Sequence, residues 1–565
     1  MLPWSLAAGA LALLMLAPFV ALVVTAWPGT AEHWTHLVTY VLPPAAVDTT
    51  ILLTGVAVVA GTLGTTLAWL VTAYDFPGRR LLSGALLLPL AMPTYIVAYA
   101  YLDLLHPVGP IQDAIRTLFG YDTPRDFRLP DVRSMPGCIL LLGFVLYPYV
   151  YLPTRAMFLL QAANLLDTAR TLGANRVQAF VRVALPLARP AVAVGLSLAL
   201  MEALNDIGAS EFLGVRTLTV AIYTTWVTRS DLAGAAQIAL AMLGVVVALA
   251  ALERWARRRR RYANDAQQPR PLVADRLGRT AGTIALAACV LPVAVGFLAP
   301  TIYLAGAAIE RVQFAGVPEV ILREARNTVV LSLIATAIAV AAGVAIAYAA
   351  RLARGRLATV MTSVASLGYA TPGTVVALGL LPVVTGIDAL VGRTSAALFG
   401  VTTGLLVLGS GAALVYAYLV RFLAIPTGGT DAALGRIATS VDEAAATLGQ
   451  GPTRRLWLIH LPIVRPAVVT ATLLVFVDCM KELPATLLLR PLGFETLATH
   501  LYGEAARGTY EDGAIAALVI VFVGLGPVWL LARLGQTAHP EPDWLEGSDR
   551  PAEDPQPLSA GRGPG

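Results

Sequence analysis

The side chains best suited to chemistry are carboxylates in two apolar stretches. One stretch reads MEALNDIGASEFLGV (201–215) and the other DCMKELPATLLLRPLGF (478–494). Glu202 and Asp206 are four residues apart, as are Asp478 and Glu482. That spacing puts each pair on one face of a helix. At a constant separation of 276 residues, Glu202 answers to Asp478 and Asp206 to Glu482. Glu211 follows in the first stretch. Lys481, the only lysine in the chain, stands beside the second pair and is placed to neutralise Asp478 or Glu482. Carboxylates are hard oxygen donors suited to hard cations. In a spanning segment such groups face a cavity or each other, because exposure to lipid is costly. Two readings stand. In one, Glu202, Asp206, Glu211, Asp478, Lys481 and Glu482 line a translocation pathway. Glu202, Asp206, Asp478 and Glu482 then touch a passing cation transiently, without a tight metal site. In the other, Asp206 and Glu482 are solvated or salt-bridged near the outer interface.

The elements that carry these residues cross a membrane. The chain has 565 residues, of which 57% are hydrophobic and 13% charged, and its mean hydropathy is +0.71. Apolar runs of about 20 residues recur, the length that crosses a hydrocarbon core of roughly 30 Å. Alternating strands of a spanning barrel are absent from the pattern. The fold expected is an all-α polytopic membrane protein of about twelve helices. These fall near 5–27, 50–73, 81–105, 137–160, 189–207 and 232–252, then 281–309, 327–350, 358–385, 399–424, 465–483 and 513–533. The N-terminal apolar run lacks a basic flank and reads as a retained first helix. Cys138, Cys289 and Cys479 show no metal or redox spacing and read as buried thiols.

Charge sets the expected orientation. Residues 1–78 hold no Lys or Arg, whereas 252–280 hold nine Arg, including the run 257–261. Beside a spanning helix this reads as a cytoplasmic flank, not a nucleic-acid site. Both termini then lie in the cytoplasm, and loops 28–48, 106–136 and 484–512 lie outside. The divisions are an N-terminal half 1–252 (core repeat 45–252), an Arg-rich linker 253–280, a C-terminal half 281–534 (core repeat 325–534) and a disordered cytoplasmic tail 535–565. Six helices per half make the repeats parallel, because inverted repeats need an odd number. Asp48-Thr49 matches Asn327-Thr328, Gly64 matches Gly343 and Pro93 matches Pro372, all 279 apart. The matched prolines suit helix breaks beside a pathway or ordinary kinks.

The clearest repeat is a polar loop. Residues 161–190 (QAANLLDTARTLGANRVQAFVRVALPLARP) and 437–466 (IATSVDEAAATLGQGPTRRLWLIHLPIVRP) align without a gap and share nine of thirty positions. Gly173 and Gly449 suit a positive φ in a tight turn. Leu185-Pro186 and Leu461-Pro462 punctuate entry into the next element. Arg176, Arg182, Arg454 and Arg455 alternate with bulky apolar residues. Such a segment docks a soluble partner or lies on the inner leaflet.

These loops resemble the cytoplasmic signature of permease subunits in ABC importers. The pattern is Glu-Ala-Ala, three residues, Gly, nine residues, Ile, one residue, Leu-Pro. The second copy matches at Glu443, Ala444, Ala445, Gly449, Ile459, Leu461 and Pro462. The first keeps Ala169, Gly173, Leu185 and Pro186, with Asp167 for Glu, Thr168 for Ala and Val183 for Ile. The resemblance implies that both loops couple to a separate ABC ATPase, present in two copies. The chain itself has no phosphate loop of the form G-x-x-x-x-G-K-[ST]. It is therefore expected to be a transport subunit, not an enzyme, with no cofactor of its own and ATP used by the partner.

KELPATLLLRP (481–491) with ETLAT (495–499), and LNDIGASEFLGV (204–215), resemble the fused permeases of ferric-iron importers. This implies a multi-pass protein of the bacterial inner membrane that carries Fe³⁺ delivered by a periplasmic or lipid-anchored binding protein. Loops 106–136 and 484–512 are the candidate contacts for that protein. The same architecture importing thiamine or a polyamine is the alternative, and an ion-coupled secondary carrier a further one. No Ser/His or metal-ligand spacing supports a membrane enzyme.

Overall fold

The computed structural model describes residues 2–27, 31–160, 169, 171–258, 274–353 and 355–537. Ten helices are long and apolar enough to cross a membrane, and two bent pairs raise the number to twelve. The first six spans are Leu6–Ala26, Trp34–Ala73, the bent pair Arg79–Ala91 with Thr94–Leu104, Met135–Leu159, Arg176–Asn205 and Leu232–Glu253. The second six are Arg279–Ala315, Glu319–Ala353, Gly373–Phe399, the bent pair Ala412–Phe422 with Ala424–Leu434, Pro452–Met480 and Tyr510–Leu530.

Proline decides where the third and ninth spans break. The third bends by 90° before Thr94. Pro93 caps the following helix with φ −57° and ψ 143°, and Pro372 caps the ninth span with φ −53° and ψ 142°. Proline lacks the N–H that would continue the preceding helix. The matched prolines are therefore full breaks, not kinks. Each is followed by a helix that starts inside the protein.

Two expected boundaries shift in the second half. The apolar pattern suggests one helix over 358–385 and the next over 399–424. The structure instead forms Gly355–Ala370, a break, and a helix running to Phe399. Apolar residues 401–408 form a loop because Asp388 holds it, accepting the N–H groups of Leu406 (3.0 Å), Val407 (2.7 Å) and Leu408 (3.0 Å). Gly400, at φ +68°, ends the helix. Apolar content alone does not make that segment a spanning helix.

Segments 484–512 and their counterparts fold back into the protein. Pro484–Leu489 and Leu497–Arg507 are helices in which Ala485, Leu497, Ala498 and Leu501 are fully buried. Gly208–Phe212 and Leu218–Tyr223 occupy the equivalent place in the first half. Each returning helix is pinned identically. Leu218 N–H donates to Thr49 Oγ1 at 2.9 Å, and Leu497 N–H donates to Thr328 Oγ1 at 2.9 Å. Much of 484–505 is thus packed into the protein, while Leu492, Gly493 and residues 506–509 stay exposed. Leu492 remains fully exposed.

The halves interlock. Tyr416 donates to the Leu14 carbonyl at 2.6 Å, tying the first span to the second half. Tyr101 donates to the Val295 carbonyl at 2.8 Å and Tyr303 to Asp103 at 2.5 Å, tying the seventh span to the first half. The three cysteines are free and buried. Most of the Arg-rich linker and the C-terminal tail lie outside the described residues.

Candidate translocation site and docking loops

The two broken helices and the two carboxylate-bearing helices end at one cavity. Its lining includes Pro93, Thr94, Tyr95, Tyr149, Glu202, Asn205, Asp206, Tyr369, Arg421, Asp478, Lys481 and Glu482, around a space of about 100 Å³. A smaller cavity continues it past Glu202, Tyr369, Thr371 and Pro372. The four paired carboxylates thus meet around one space inside the protein. They do so because Asp206 and Glu482 each follow the last turn of a spanning helix and start the fold-back.

The four differ in what they hold. Glu482 is fully committed. It accepts Arg421 Nη1 at 2.6 Å, the N–H of Ala485 at 3.1 Å and that of Thr486 at 3.0 Å, and the Thr486 hydroxyl at 2.8 Å. Asp478 meets Lys481 Nζ at 2.9 Å. Asp206 Oδ1 accepts the Ala209 N–H at 2.9 Å. Its Oδ2 is buried without a hydrogen-bond partner. Glu202 lies within electrostatic range of Lys481, Arg421 and Asp478 but makes no ion pair among the described residues.

Glu211 stands apart from this group. Its carboxylate accepts the Tyr502 hydroxyl, and it does not line the cavity. The fold thus does not bring Glu211 to the cavity that holds the other five candidates. Glu211 lies in the short helix Gly208–Phe212 that follows Asp206, where Phe212 stacks on Tyr502 with ring centroids 5.6 Å apart. Among the described residues, no group of three His, Cys, Asp or Glu side chains is arranged to hold a metal ion.

Sequence reasoning missed Arg421, Asn205, Tyr149 and Tyr369. Arg421 carried a legible signal, a lone cation in the apolar run AALVYAYLVRF. Asn205 accepts the Gly373 N–H at 2.8 Å, joining one half to the start of the ninth span in the other. Nothing in their local pattern marks the two tyrosines. Only the tertiary fold brings them to the cavity.

Among the described residues, the repeated loops share a glycine turn. Gly173 has φ +88° and Gly449 φ +72°. A Cβ at either glycine would meet no atom within 4 Å, so backbone conformation, not crowding, demands glycine. Beside each glycine an exposed leucine stands out, Leu172 and Leu448. Glu443 and Ala444 are exposed, and Ala445 is buried beneath them. Asp167 and Thr168 lie outside the described residues, whereas Ala169 is helical.

Leu-Pro does not interrupt the chain as expected. In both copies a five-residue π-turn, Phe180–Ala184 and Leu456–His460, runs straight into the spanning helix. Leu185 N–H bonds Phe180 O and Leu461 N–H bonds Leu456 O. The wide turn accommodates Pro186 and Pro462, whose missing N–H would otherwise break a continuous helix.

The second loop is braced by half-buried charge. Arg351 pairs with Asp442 at 2.7 Å and also donates to the Leu434 and Ile437 carbonyls. His460 Nε2 lies 3.0 Å from Asp442. Tyr348 donates to the Pro452 carbonyl at 2.6 Å. The first half carries Thr72, Leu166 and Ala184 at the positions of Arg351, Asp442 and His460.

Comparison with known proteins matches this arrangement. Residues 60–262 fit the family model of the binding-protein-dependent transport system inner membrane component. The molybdenum transport system permease protein of Escherichia coli K12 is 32% identical over 191 residues, covering 32% of this chain and 80% of that protein. This chain belongs to that family of ABC transporter permeases. The sulfate transport system permease protein of the same organism is 30% identical over 203 residues, 36% of this chain and 70% of that one. An Fe(3+)-transport system permease protein of Haemophilus influenzae is 23% identical over 494 residues, 86% of this chain and 89% of that protein. The last match runs through both halves of the permease, whereas the other two span about one. Membership sets aside the ion-coupled secondary carrier.

Proposed function

We propose that this permease forms the membrane pathway of an ATP-driven importer of ferric iron. The observation that carries the reading is the charge of the cavity. Four carboxylates face two cations, Arg421 and Lys481. Ionised, they leave a net negative space inside the membrane, which attracts a cation and repels an anion such as sulfate. The full-length similarity to an Fe(3+)-transport permease supports the same cargo.

Two copies of a separate ATPase dock on the loops bearing Gly173 and Gly449. Asp167, Ala169, Glu443, Ala444 and Ala445 are the contact positions, and Leu185-Pro186 and Leu461-Pro462 join each loop to its span. Those loops and both termini face the cytoplasm, and a substrate-binding protein delivers cargo from the other side. ATP is used by the partner, and this chain holds no cofactor. ATPase closure rocks one half against the other, which requires different affinities for the two states. An organic cation such as thiamine or a polyamine is the second reading, favoured by the aromatic walls Tyr95, Tyr149, Tyr369 and Phe422.

The test is uptake by proteoliposomes holding the permease, its ATPase and its binding protein. ATP-dependent accumulation of ⁵⁵Fe³⁺, unaffected by excess thiamine or spermidine, is expected. Accumulation of sulfate in place of iron overturns the reading.

A further inference from the structure

Within the cation reading, one residue breaks the symmetry of the cavity. Lys481 and Asn205 occupy equivalent positions, 276 residues apart. Asn205 does a structural job, since its amide oxygen accepts the Gly373 N–H at 2.8 Å. Lysine has no acceptor atom, so Lys481 does not do that job. Its ammonium turns instead onto Asp478, at 2.9 Å, with Glu202 next in electrostatic range.

The two cations of the cavity are held differently. Arg421 is buried and meets a carboxylate that also accepts two backbone N–H groups and a hydroxyl. That pair is part of the frame. Lys481 makes one ion pair, with 30% of its side chain exposed, on a flexible four-carbon stem. Glu202 has no ion pair among the described residues, and Asp206 is 7% exposed with an Oδ2 that has no hydrogen-bond partner. Both line the same cavity as Lys481.

We propose that Lys481 is a tethered counter-cation that holds the cargo site between transport events. A multivalent cation displaces its ammonium from Asp478 and is held transiently by the negative charge of the cavity that Asp478, Glu202 and Asp206 line. A monovalent ion carries no more charge than the tethered ammonium and pays the entropy of capture, so it does not displace it. A trivalent ion gains three times the Coulomb attraction at each carboxylate. When the ion leaves, the ammonium returns to Asp478, which keeps an acidic site from becoming a trap. Conduction needs binding weak enough to release.

The experiment uses the full-length permease copurified with its ATPase and Tb³⁺ as the hard trivalent probe, read by tyrosine-sensitised luminescence. Lys481→Asn restores the residue of the other half, and Lys481→Met removes the charge at similar length. Both are expected to tighten Tb³⁺ binding by about tenfold or more, the scale of removing one like charge at close range. Lys481→Arg is expected to bind as the wild type. In proteoliposomes Lys481→Asn is expected to lower the maximal rate of iron uptake while lowering the half-saturating concentration. Wild-type or weaker Tb³⁺ affinity in both neutral variants, with the ATPase still copurifying, overturns the counter-cation. Glu202→Gln with Asp206→Asn separates this from the broader reading. If that variant abolishes Tb³⁺ binding while the Lys481 variants leave affinity unchanged, the cation cavity stands and the counter-cation falls. If it binds Tb³⁺ as the wild type does, the cation cavity itself falls.

Discussion

Arg421 Nη1 stands 2.6 Å from Glu482 Oε1, with both side chains buried at the wall of the central cavity. The approach depends on a residue from another helix. A β-carbon on Gly373 would lie 2.6 Å from Arg421 Nη1 and 2.7 Å from Glu482 Oε1. The start of the ninth span therefore closes over the ion pair, and only glycine leaves the room.

Removing one partner strands a buried charge. Arg421→Met is expected to destabilise the permease by about 3–5 kcal/mol, the usual cost of breaking a buried pair. Arg421→Met with Glu482→Gln is expected to recover part of that loss. Thermal unfolding of the detergent-solubilised complex measures both. Equal melting temperatures for wild type and Arg421→Met contradict the assignment. Gly373→Ala is expected to act in the same direction, because the pair must move apart.

The docking loops predict loss of coupling without loss of fold. Gly449→Val forces a β-branched residue to a positive φ, which costs about 1–2 kcal/mol locally. Expected is a protein that still inserts but gives sharply reduced cargo-stimulated ATP hydrolysis. Glu443→Arg is expected to act similarly at an exposed site. Arg351→Met, which removes the brace on Asp442, is expected to weaken coupling through the second loop alone. Unchanged ATP turnover in all three refutes the docking role.

The pH dependence of stability has a named source outside the spans. His500 Nδ1 lies 2.9 Å from Glu324, and Nε2 lies 3.9 Å from Glu504. Burial alone lowers the imidazole pKa, but the Glu324 hydrogen bond and charge, aided by Glu504, outweigh it and raise it. A raised native pKa stabilises the fold fully below the unfolded value of about 6.5 and loses that contribution as pH rises through the native value. Wild type should therefore exceed His500→Gln in melting temperature most at about pH 5.5 and least at about pH 9. A gap that widens with rising pH contradicts this sign.

Much of the site is legible in the sequence because the chain is duplicated. The 276-residue repeat by itself pairs Glu202 with Asp478 and Asp206 with Glu482, and helical spacing puts each pair on one face. Pro93 and Pro372 stand out as a matched pair, and their breaks follow from proline's missing N–H. What stays hidden is tertiary. Asp388 turns apolar residues 401–408 into a loop through three hydrogen bonds that no periodicity records. Tyr149 and Tyr369 come from opposite halves and look like any other membrane tyrosine. Leu-Pro misleads because a π-turn ahead of it lets the helix continue.

Assembly and transport should separate at the cavity carboxylates. Glu202→Gln with Asp206→Asn should insert and copurify with the ATPase, because neither side chain holds an ion pair among the described residues.

The decisive measurement is ATP-dependent ⁵⁵Fe³⁺ uptake by that double variant, reconstituted with its ATPase and binding protein. Uptake at least tenfold below wild type in an intact complex is expected, the scale of losing two charged contacts to a cation. Wild-type uptake by the intact complex would contradict the cation cavity.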